Sequence, residues 1–328
     1  MNSISPSSVI RQKAIVETVF ELELPSRLYG PSEDSKENLY VCSQSGEIIK
    51  FNTKGEYSVS LTHPGQPTCI VFDNKDEDME DGNEDQSKHE DEYYFADVAN
   101  SVIYEKKEEN DVNALVKDYQ GTPLKGPTSL ALNTEENSLL FCDGGYFETT
   151  SLSRPTGSVF HLDLETNIVT PLLLNCLAYP ADIFYDNILA VGYIAETFSN
   201  RILKITENPQ GVYHVSVFYV FNGRVGPTSI TCDDEGNIFV SRFEYQNMDE
   251  VDGLISVLNK DGYLVGELIV PKMPEIVGMH IPRKEESKDN RSDLVLYFTE
   301  RNFSGVKKIK LGPFVTEIDK AQDNYKIY

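Results

Sequence analysis

The sequence contains no tryptophan and only five histidines. Without tryptophan, the chain lacks the Trp-Asp dipeptide that marks one large class of repeat proteins. The histidines make neither a His-x-His nor a His-Glu-x-x-His spacing, so a zinc site is not expected. No serine lies in a Gly-x-Ser-x-Gly turn, which removes the usual signature of a serine hydrolase. The histidines are His63, His89, His161, His214 and His280.

Basic residues are also scarce, with 29 Lys and Arg against 53 Asp and Glu, which gives a formal net charge of −24. A surface of this sign repels nucleic acid and anionic membranes, so neither is expected as a partner. The charge is compatible with cationic ligands, metal ions or basic protein surfaces.

Long hydrophobic runs are absent as well. No run approaches the roughly 18 residues that a membrane-spanning helix needs, and the first residues, "MNSISPSSVIRQKAIVETVF", lack the apolar core of a signal peptide. The five cysteines are odd in number and scattered, unlike a disulfide framework. We therefore expect an intracellular, cytoplasmic protein without a membrane span.

One unit recurs six times along the chain. A proline opens a short alternating strand, as in "PTSLALN" and "PTSITCD"; a second apolar strand follows, then a third that begins with Gly or Asn, then a fourth. Four short strands in each of six units predict an all-β, six-bladed β-propeller with antiparallel blades. The opening prolines are Pro25, Pro67, Pro127, Pro180, Pro227 and Pro274.

The repeat also sets the predicted boundaries. A single propeller should span 14–311, with "AIVETVFELE" (14–23) supplying the outer strand of the sixth blade and closing the ring. The acidic stretch 73–92 is too charged to pack and is predicted to be a disordered insert. Residues 312–328 form a C-terminal tail beyond the last blade, and no long helix is expected.

Two rings of side chains should face the end of the propeller at which the first strands begin. The inner ring follows the opening prolines and is mostly hydroxyl or methyl: Ser26, Thr68, Thr128, Ala181, Thr228 and Glu275. The outer ring ends the second strands and carries four acids against one arginine: Ser43, Asp97, Asp143, Glu196, Arg242 and Glu300. Neutral hydroxyls make a poor calcium site.

Four residues are candidate catalytic groups. Asp143 and Glu196 of the outer ring and Glu275 of the inner ring are expected at this channel mouth, and His280 lies at the end of the first strand of the sixth blade. Crowded carboxylates can raise each other's pKa or gather a cation. They can equally cap backbone amides at the strand ends, and charged residues at exposed strand ends usually have such structural roles.

The segment 155–205 resembles the strictosidine synthase-like proteins, which are related to gluconolactonase, senescence-marker proteins and paraoxonases. The resemblance is carried by "TG" at 156–157, Asp163, Pro180, "AET" at 195–197 and "RIL" at 201–203. It implies a six-bladed propeller with a calcium site at the starts of first strands and a late catalytic glutamate, to which Glu275 is the nearest match.

Departures from that pattern decide the functional expectation. The implied calcium ligands are replaced by Ala181, Thr228 and Thr128, unless Asp182 takes over the metal. No cofactor is therefore expected, although calcium stays open. The favoured hypothesis is a binding or scaffold module that has lost catalysis and has protein partners. The alternative is a lactonase, arylesterase or strictosidine synthase-type enzyme that acts on a small molecule at the channel mouth.

Overall fold

The computed structural model describes residues 9–23, 25–72, 92–107, 111–208, 211–223, 226–243, 251–282 and 293–323. Over these residues the strands form six main sheets, each built around four antiparallel strands, which are consecutive along the chain in five of the six sheets. The predicted six-bladed propeller is therefore confirmed. The predicted acidic insert lies outside the described residues, apart from Glu92.

The N-terminal part of the chain supplies two separate strands and the first two blades. The strands outside these blades are β1 (Ile10–Lys13) and β2 (Val16–Glu21). Blade 1 comprises β3 (Leu28–Glu33), β4 (Leu39–Ser43), β5 (Glu47–Phe51) and β6 (Tyr57–Thr62). Blade 2 comprises β7 (Pro67–Phe72), β8 (Tyr93–Asp97), β9 (Val102–Lys106) and β10 (Val112–Val116).

A small hairpin precedes the two middle blades. It pairs β11 (Asp118–Tyr119) with β12 (Thr122–Pro123). Blade 3 comprises β13 (Pro127–Asn133), β14 (Ser138–Asp143), β15 (Gly157–Asp163) and β16 (Val169–Leu177). Blade 4 comprises β17 (Pro180–Asp186), β18 (Val191–Glu196), β19 (Arg201–Glu207) and β20 (Tyr213–Val220).

The last two blades are followed by a helix. Blade 5 comprises β21 (Pro227–Cys232), β22 (Ile238–Arg242), β23 (Gly253–Leu258) and β24 (Leu264–Val270). Blade 6 is built from β25 (Ile276–His280), β26 (Val295–Glu300) and β27 (Gly305–Lys310), and α1 (Gly312–Asp323) comes next. Among the described segments, no helix is long and apolar enough to span a membrane.

The ring is closed by the N-terminal region, as predicted. Strand β2 pairs antiparallel with β27 and completes blade 6, with Val16 opposite Ile309. Strand β1 adds a second closure that the repeat does not predict, because it pairs parallel with β24 and gives blade 5 a fifth strand. Two blades thus hold the N-terminal strands through backbone hydrogen bonds.

The hydrophobic core lies between neighbouring blades. Every residue of β4, β8, β14 and β22 is buried, because each second strand is covered on both faces. At one interface, Leu140 and Val159 of blade 3 pack with Ile183 and Ile194 of blade 4. Each blade therefore depends on its neighbours to cover its apolar faces, which explains why the sequence pattern had to recur.

Helix α1 occupies the region predicted as a C-terminal tail, and the sequence analysis did not predict it. Phe314, Val315 and Ile318 lie on one side of α1 and are buried with residues of blades 5 and 6. A Cβ atom at Gly266 would lie 2.6 Å from the Phe314 ring, so the helix approaches β24 where that strand has no side chain. The helix is thus part of the folded core.

Candidate functional site

The first strands of all six blades contact one another in a ring and enclose an axial channel. A cavity of about 310 Å³ follows this channel, and its lining includes Glu33, Ser129, Asp182 and His280. A second cavity of about 330 Å³, the mouth cavity, lies at the end where the first strands begin. Its lining includes Arg27, Tyr29, Phe147, Tyr179, Glu275 and Arg301.

Asp143 ends β14, and its side chain accepts hydrogen bonds from backbone N–H groups instead of facing a cavity. Its Oδ1 accepts the N–H groups of Lys125 and Gly126, at 2.8 and 2.9 Å, just before the proline that opens its own blade. Asp97 accepts the N–H of Gln66 in the same way in blade 2. Burial raises the pKa of Asp143, and the two backbone N–H groups oppose that rise. Asp143 lines neither cavity.

Glu196 has a similar role at the end of β18. Its Oε1 accepts the N–H of Ala178 at 2.7 Å and the hydroxyl of Ser199 at 2.6 Å, and its Oε2 lies 2.5 Å from Nε of Arg201. The carboxylate is buried and all of these donors surround it. It does not line the mouth cavity or the channel.

Glu275 is the predicted candidate that lies in the mouth cavity. It is only 4% exposed, and its Oε2 contacts Nη1 of Arg301 at 3.0 Å. The Arg301 side chain is 42% exposed, so the guanidinium extends from the buried carboxylate towards solvent. The backbone holds the pair together, because the N–H of Arg301 donates to the carbonyl of Glu275 at 3.0 Å.

Glu300 contacts the backbone of this pair. Its Oε1 accepts the N–H of Glu275 at 3.3 Å, and its Oε2 accepts the N–H of Asn302 at 2.8 Å. Burial raises the pKa of Glu300, and the nearby charge of Glu275 acts in the same direction. Glu275, Glu300 and Arg301 thus form one cluster of two carboxyl groups and one guanidinium, of which Glu275 and Arg301 line the mouth cavity.

The threonines of the inner ring connect neighbouring blades. The Thr128 hydroxyl donates to the carbonyl of Pro180 at 2.9 Å, and the Thr228 hydroxyl donates to the carbonyl of Ile276 at 2.8 Å. Each bond joins the first strand of one blade to the first strand of the next. Ala181, between them in the ring, has no side-chain oxygen.

Asp182 lies deeper, in the channel. Its Oδ1 accepts the Ser129 hydroxyl at 2.5 Å and its own blade's Ile183 N–H at 2.9 Å, while its Oδ2 accepts the N–H of Ile230 at 2.8 Å. The carboxylate therefore ties blades 3, 4 and 5 together. Burial raises the pKa of Asp182 despite these donors.

His280 lies at the far end of the channel from Glu275. The two residues are separated by the length of β25, roughly 17 Å at 3.3–3.4 Å per residue. Nε2 of His280 lies 3.3 Å from Oε2 of Glu33. Of the four candidates, only Glu275 therefore lines the mouth cavity, and the structure does not gather the other three around it.

A calcium ion does not fit these residues. Calcium takes six to eight oxygen ligands, several of them carboxylates. Thr128 and Thr228 direct their hydroxyl protons to carbonyl groups, and the Asp182 carboxylate already accepts three hydrogen bonds. Over the described part of the chain, no three His, Cys, Asp or Glu side chains form a group that could hold a metal ion.

Sequence reasoning missed the arginines and the aromatic wall of the mouth cavity. Phe147, in a 3₁₀ turn at Phe147–Thr149, packs edge-on against Tyr179 with 5.0 Å between ring centroids. Tyr179 has a φ of 61° directly before an opening proline, which is rare for a bulky residue. Burial raises its pKa to about 12. Arg301 directly follows the outer ring, so extending each ring by one residue would have found it.

Sequence comparison gives partial matches. No protein-family model matches the chain. The lactonase drp35 of Staphylococcus epidermidis is 27% identical over 150 residues, and that of Staphylococcus haemolyticus is 25% identical over 154 residues. These matches cover 43% and 44% of this chain, and 44% and 45% of the relatives. The chain thus spans less than half the length of the curated relatives that it matches.

Structure comparison covers nearly the whole chain. A gluconolactonase of Xanthomonas campestris has a TM-score of 0.68 at 14% identity and covers 90% of this chain and 89% of its own. The calcium-binding protein regucalcin of Agrobacterium tumefaciens has a TM-score of 0.64 at 14% identity, with 92% and 97% covered. At such identities the likeness shows a shared fold, the propeller of gluconolactonases and regucalcin.

These relatives correct the functional interpretation drawn from the sequence. The sequence favours the hypothesis of a scaffold without catalysis, because the implied calcium ligands are missing. That hypothesis is wrong by this comparison, since the relatives in sequence are named lactonases and a structural relative is a gluconolactonase. A missing metal ligand set does not by itself remove hydrolysis, because a carboxylate and a guanidinium can also act on an ester.

Proposed function

We propose that this protein is a hydrolase that opens small lactones or related esters in the mouth cavity, with Glu275 and Arg301 as its reacting pair. The observation that carries the proposal is the 3.0 Å contact between these two side chains inside a cavity of about 330 Å³. A cavity of this volume suits a small molecule. The names of the partial sequence relative and of the structural relative support the reaction type.

The reaction needs a base and a group that stabilises negative charge. Glu275 takes a proton from water, and the water oxygen attacks the acyl carbon of the ester. The carbonyl oxygen becomes an oxyanion, to which the exposed N–H groups of Arg301 donate. When the ring C–O bond breaks, Glu275 returns the proton to the leaving alkoxide, and a hydroxy acid results. No step passes through a metal ion.

The walls of the cavity position the substrate. Tyr29, Phe147 and Tyr179 supply apolar and aromatic surface to the cavity that the charged pair also lines. With its pKa raised to about 12, Tyr179 keeps its phenolic proton at neutral pH. We also propose, from the resemblance of residues 155–205, that the chain shares ancestry with the strictosidine synthase-like proteins.

The test is Glu275→Gln, which keeps the shape of the side chain and removes its basicity. Loss of a general base lowers kcat by about 10²- to 10⁴-fold, and hydrolysis of a panel of γ- and δ-lactones can be followed by proton release. The matched control is Glu267→Gln on β24. Glu267 is buried, its carboxylate lies 2.6 Å from Nε of Arg11, and it does not line the mouth cavity. Equal rates in both variants would disprove the role of Glu275.

A further inference from the structure

A third cavity lies beside the mouth cavity, between blades 1 and 6. This side cavity, of about 500 Å³, is lined by residues that precede β3 and β27 and by the turn after β4. Of its eight lining residues in the described chain, seven are polar or basic and none is acidic. In a chain with a net charge of −24, such a lining is unusual. The residues used here are Ser26, Arg27, Gln44, Arg301 and Ser304.

Two arginines join the side cavity to the mouth cavity. Arg27 and Arg301 line both cavities. Arg301 is held by Glu275, whereas the exposed guanidinium of Arg27 makes no ion pair within the described residues. Two guanidinium groups therefore border one small space, and only one of them has its charge balanced by a neighbouring carboxylate of the site.

Neutral donors complete this lining. The Ser304 Oγ accepts the N–H of Ser26 at 3.0 Å, so its hydroxyl proton is left to donate. Among the described residues that proton has no acceptor, and Ser304 is half-buried in the cavity wall. The exposed side-chain amide of Gln44 borders the same space. Together these groups offer two neutral hydrogen-bond donors beside the arginines.

We propose that the side cavity binds an oxyanion group, a carboxylate or a phosphate, carried by the substrate. The inference rests on the proposed hydrolase and names its substrate class: lactones or esters that bear an anionic group. Guanidinium groups recognise carboxylate and phosphate through paired, charge-assisted hydrogen bonds. Because Arg301 borders both spaces, the anionic group bound beside Arg27 would hold the reacting ester next to Glu275.

The charge of the whole chain makes this site selective. A strongly negative protein repels anions over most of its surface, so an anionic substrate gains affinity only where basic groups outweigh the acidic ones. Arg27 is the basic group of the site that is not committed to a carboxylate within the described residues. The affinity of the site for anions should therefore depend on Arg27.

Binding can be measured without turnover. Inorganic phosphate and succinate are titrated calorimetrically into the full chain at constant ionic strength set with chloride. Arg27→Gln should weaken binding of at least one probe by about tenfold, as expected for a lost charged hydrogen bond. Arg154→Gln, which removes an exposed arginine that lines none of the three cavities, should leave it unchanged. The probe that binds identifies phosphate or carboxylate as the preferred group.

A second variant protects the test against misfolding. Ser304→Ala removes one neutral donor and should weaken binding of the same probe by about threefold. Anion affinity that is unchanged in both Arg27→Gln and Ser304→Ala, or no measurable binding of either probe to the unaltered chain, would overturn the proposed anion site.

Kinetics separate this inference from the proposed hydrolase. For a lactone that carries a carboxylate, Arg27→Gln should raise KM about tenfold, and for its methyl ester it should leave KM unchanged. An equal rise for both substrates would overturn the anion site. If the unaltered chain hydrolyses neither substrate but binds phosphate or succinate through Arg27, the hydrolase proposal is wrong and the anion site stands.

Discussion

Asp182 shows how a carboxylate in this propeller can face a cavity and still have a structural role. It accepts three hydrogen bonds from blades 3, 4 and 5 in the axial channel. Asp143 and Glu196 likewise accept backbone N–H groups at the ends of their blades. Glu275 differs because its carboxylate reaches a guanidinium that is exposed to the mouth cavity.

The raised pKa of Asp182 predicts a pH dependence of stability. Because its pKa is higher in the folded than in the unfolded state, the folded protein binds more protons just above about pH 4. The associated stability is present below that pH and is lost as the pH rises through the folded-state pKa. Asp182→Asn should lack this loss, so its free energy of unfolding, relative to the unaltered chain, should improve between pH 4 and 7.

Asp163, whose pKa is shifted in the opposite direction, provides the control for this experiment. The N–H of Thr166 holds the pKa of Asp163 below its usual range, so its stabilising effect is lost as the pH falls. Relative to the unaltered chain, the free energy of unfolding of Asp163→Asn should therefore fall as the pH rises towards about 4 and stay constant above that pH. Urea unfolding at several pH values measures both differences, and parallel curves for Asp182→Asn and the unaltered chain would contradict the raised pKa.

Secondary-structure elements inside the repeat could be predicted, and those outside it could not. The alternating strands after Pro127, Pro180 and Pro227 begin at those prolines in the structure, because each blade needs the same buried pattern. Strand β1 is four residues long and gains its stability from pairing with β24. Helix α1 has just over three turns, so its apolar face is too short to stand out as a period.

Helix α1 should be a stabilising element rather than a loose tail. Phe314 is 1% exposed and packs against Gly266 and the core of blades 5 and 6. Phe314→Ala should lower the free energy of unfolding by about 3–5 kcal/mol, the usual cost of removing a buried phenylalanine. Glu317→Ala, on the exposed side of α1, should change it by less than about 0.5 kcal/mol. Urea denaturation compares the two, and similar small effects would show that α1 does not contribute to the core.

The candidate site was only partly accessible from the sequence, for a reason that involves the whole ring. The repeat aligns the ends of the second strands, so it could locate Glu300. It placed Glu275 two residues from the inner-ring position of blade 6, because Ile276 takes the place that the opening proline has in blade 4. It carries no information on which loops turn inward. Phe147 lies in a segment that differs from blade to blade, and Tyr179 depends on a single left-handed backbone position, whereas Arg27, like Arg301, comes one residue after a predicted ring. These residues become neighbours only when the ring closes.

The molecule as a whole should be indifferent to calcium. A calcium site occupied at 100 times its Kd would add about 2.7 kcal/mol to the free energy of unfolding, and for a chain of this size that raises the Tm by several degrees. The hydroxyls of Thr128 and Thr228 donate to backbone carbonyls, and Ala181 has no side-chain oxygen. We therefore expect the Tm to change by less than about 1 °C between chelator and millimolar calcium. Magnesium at equal concentration controls for nonspecific screening.

Lactone hydrolysis should likewise persist in chelator, because Glu275 and Arg301 need no metal. A calcium-specific rise of several degrees, or activity lost in chelator and restored by calcium, would show that this propeller builds its metal site from other residues.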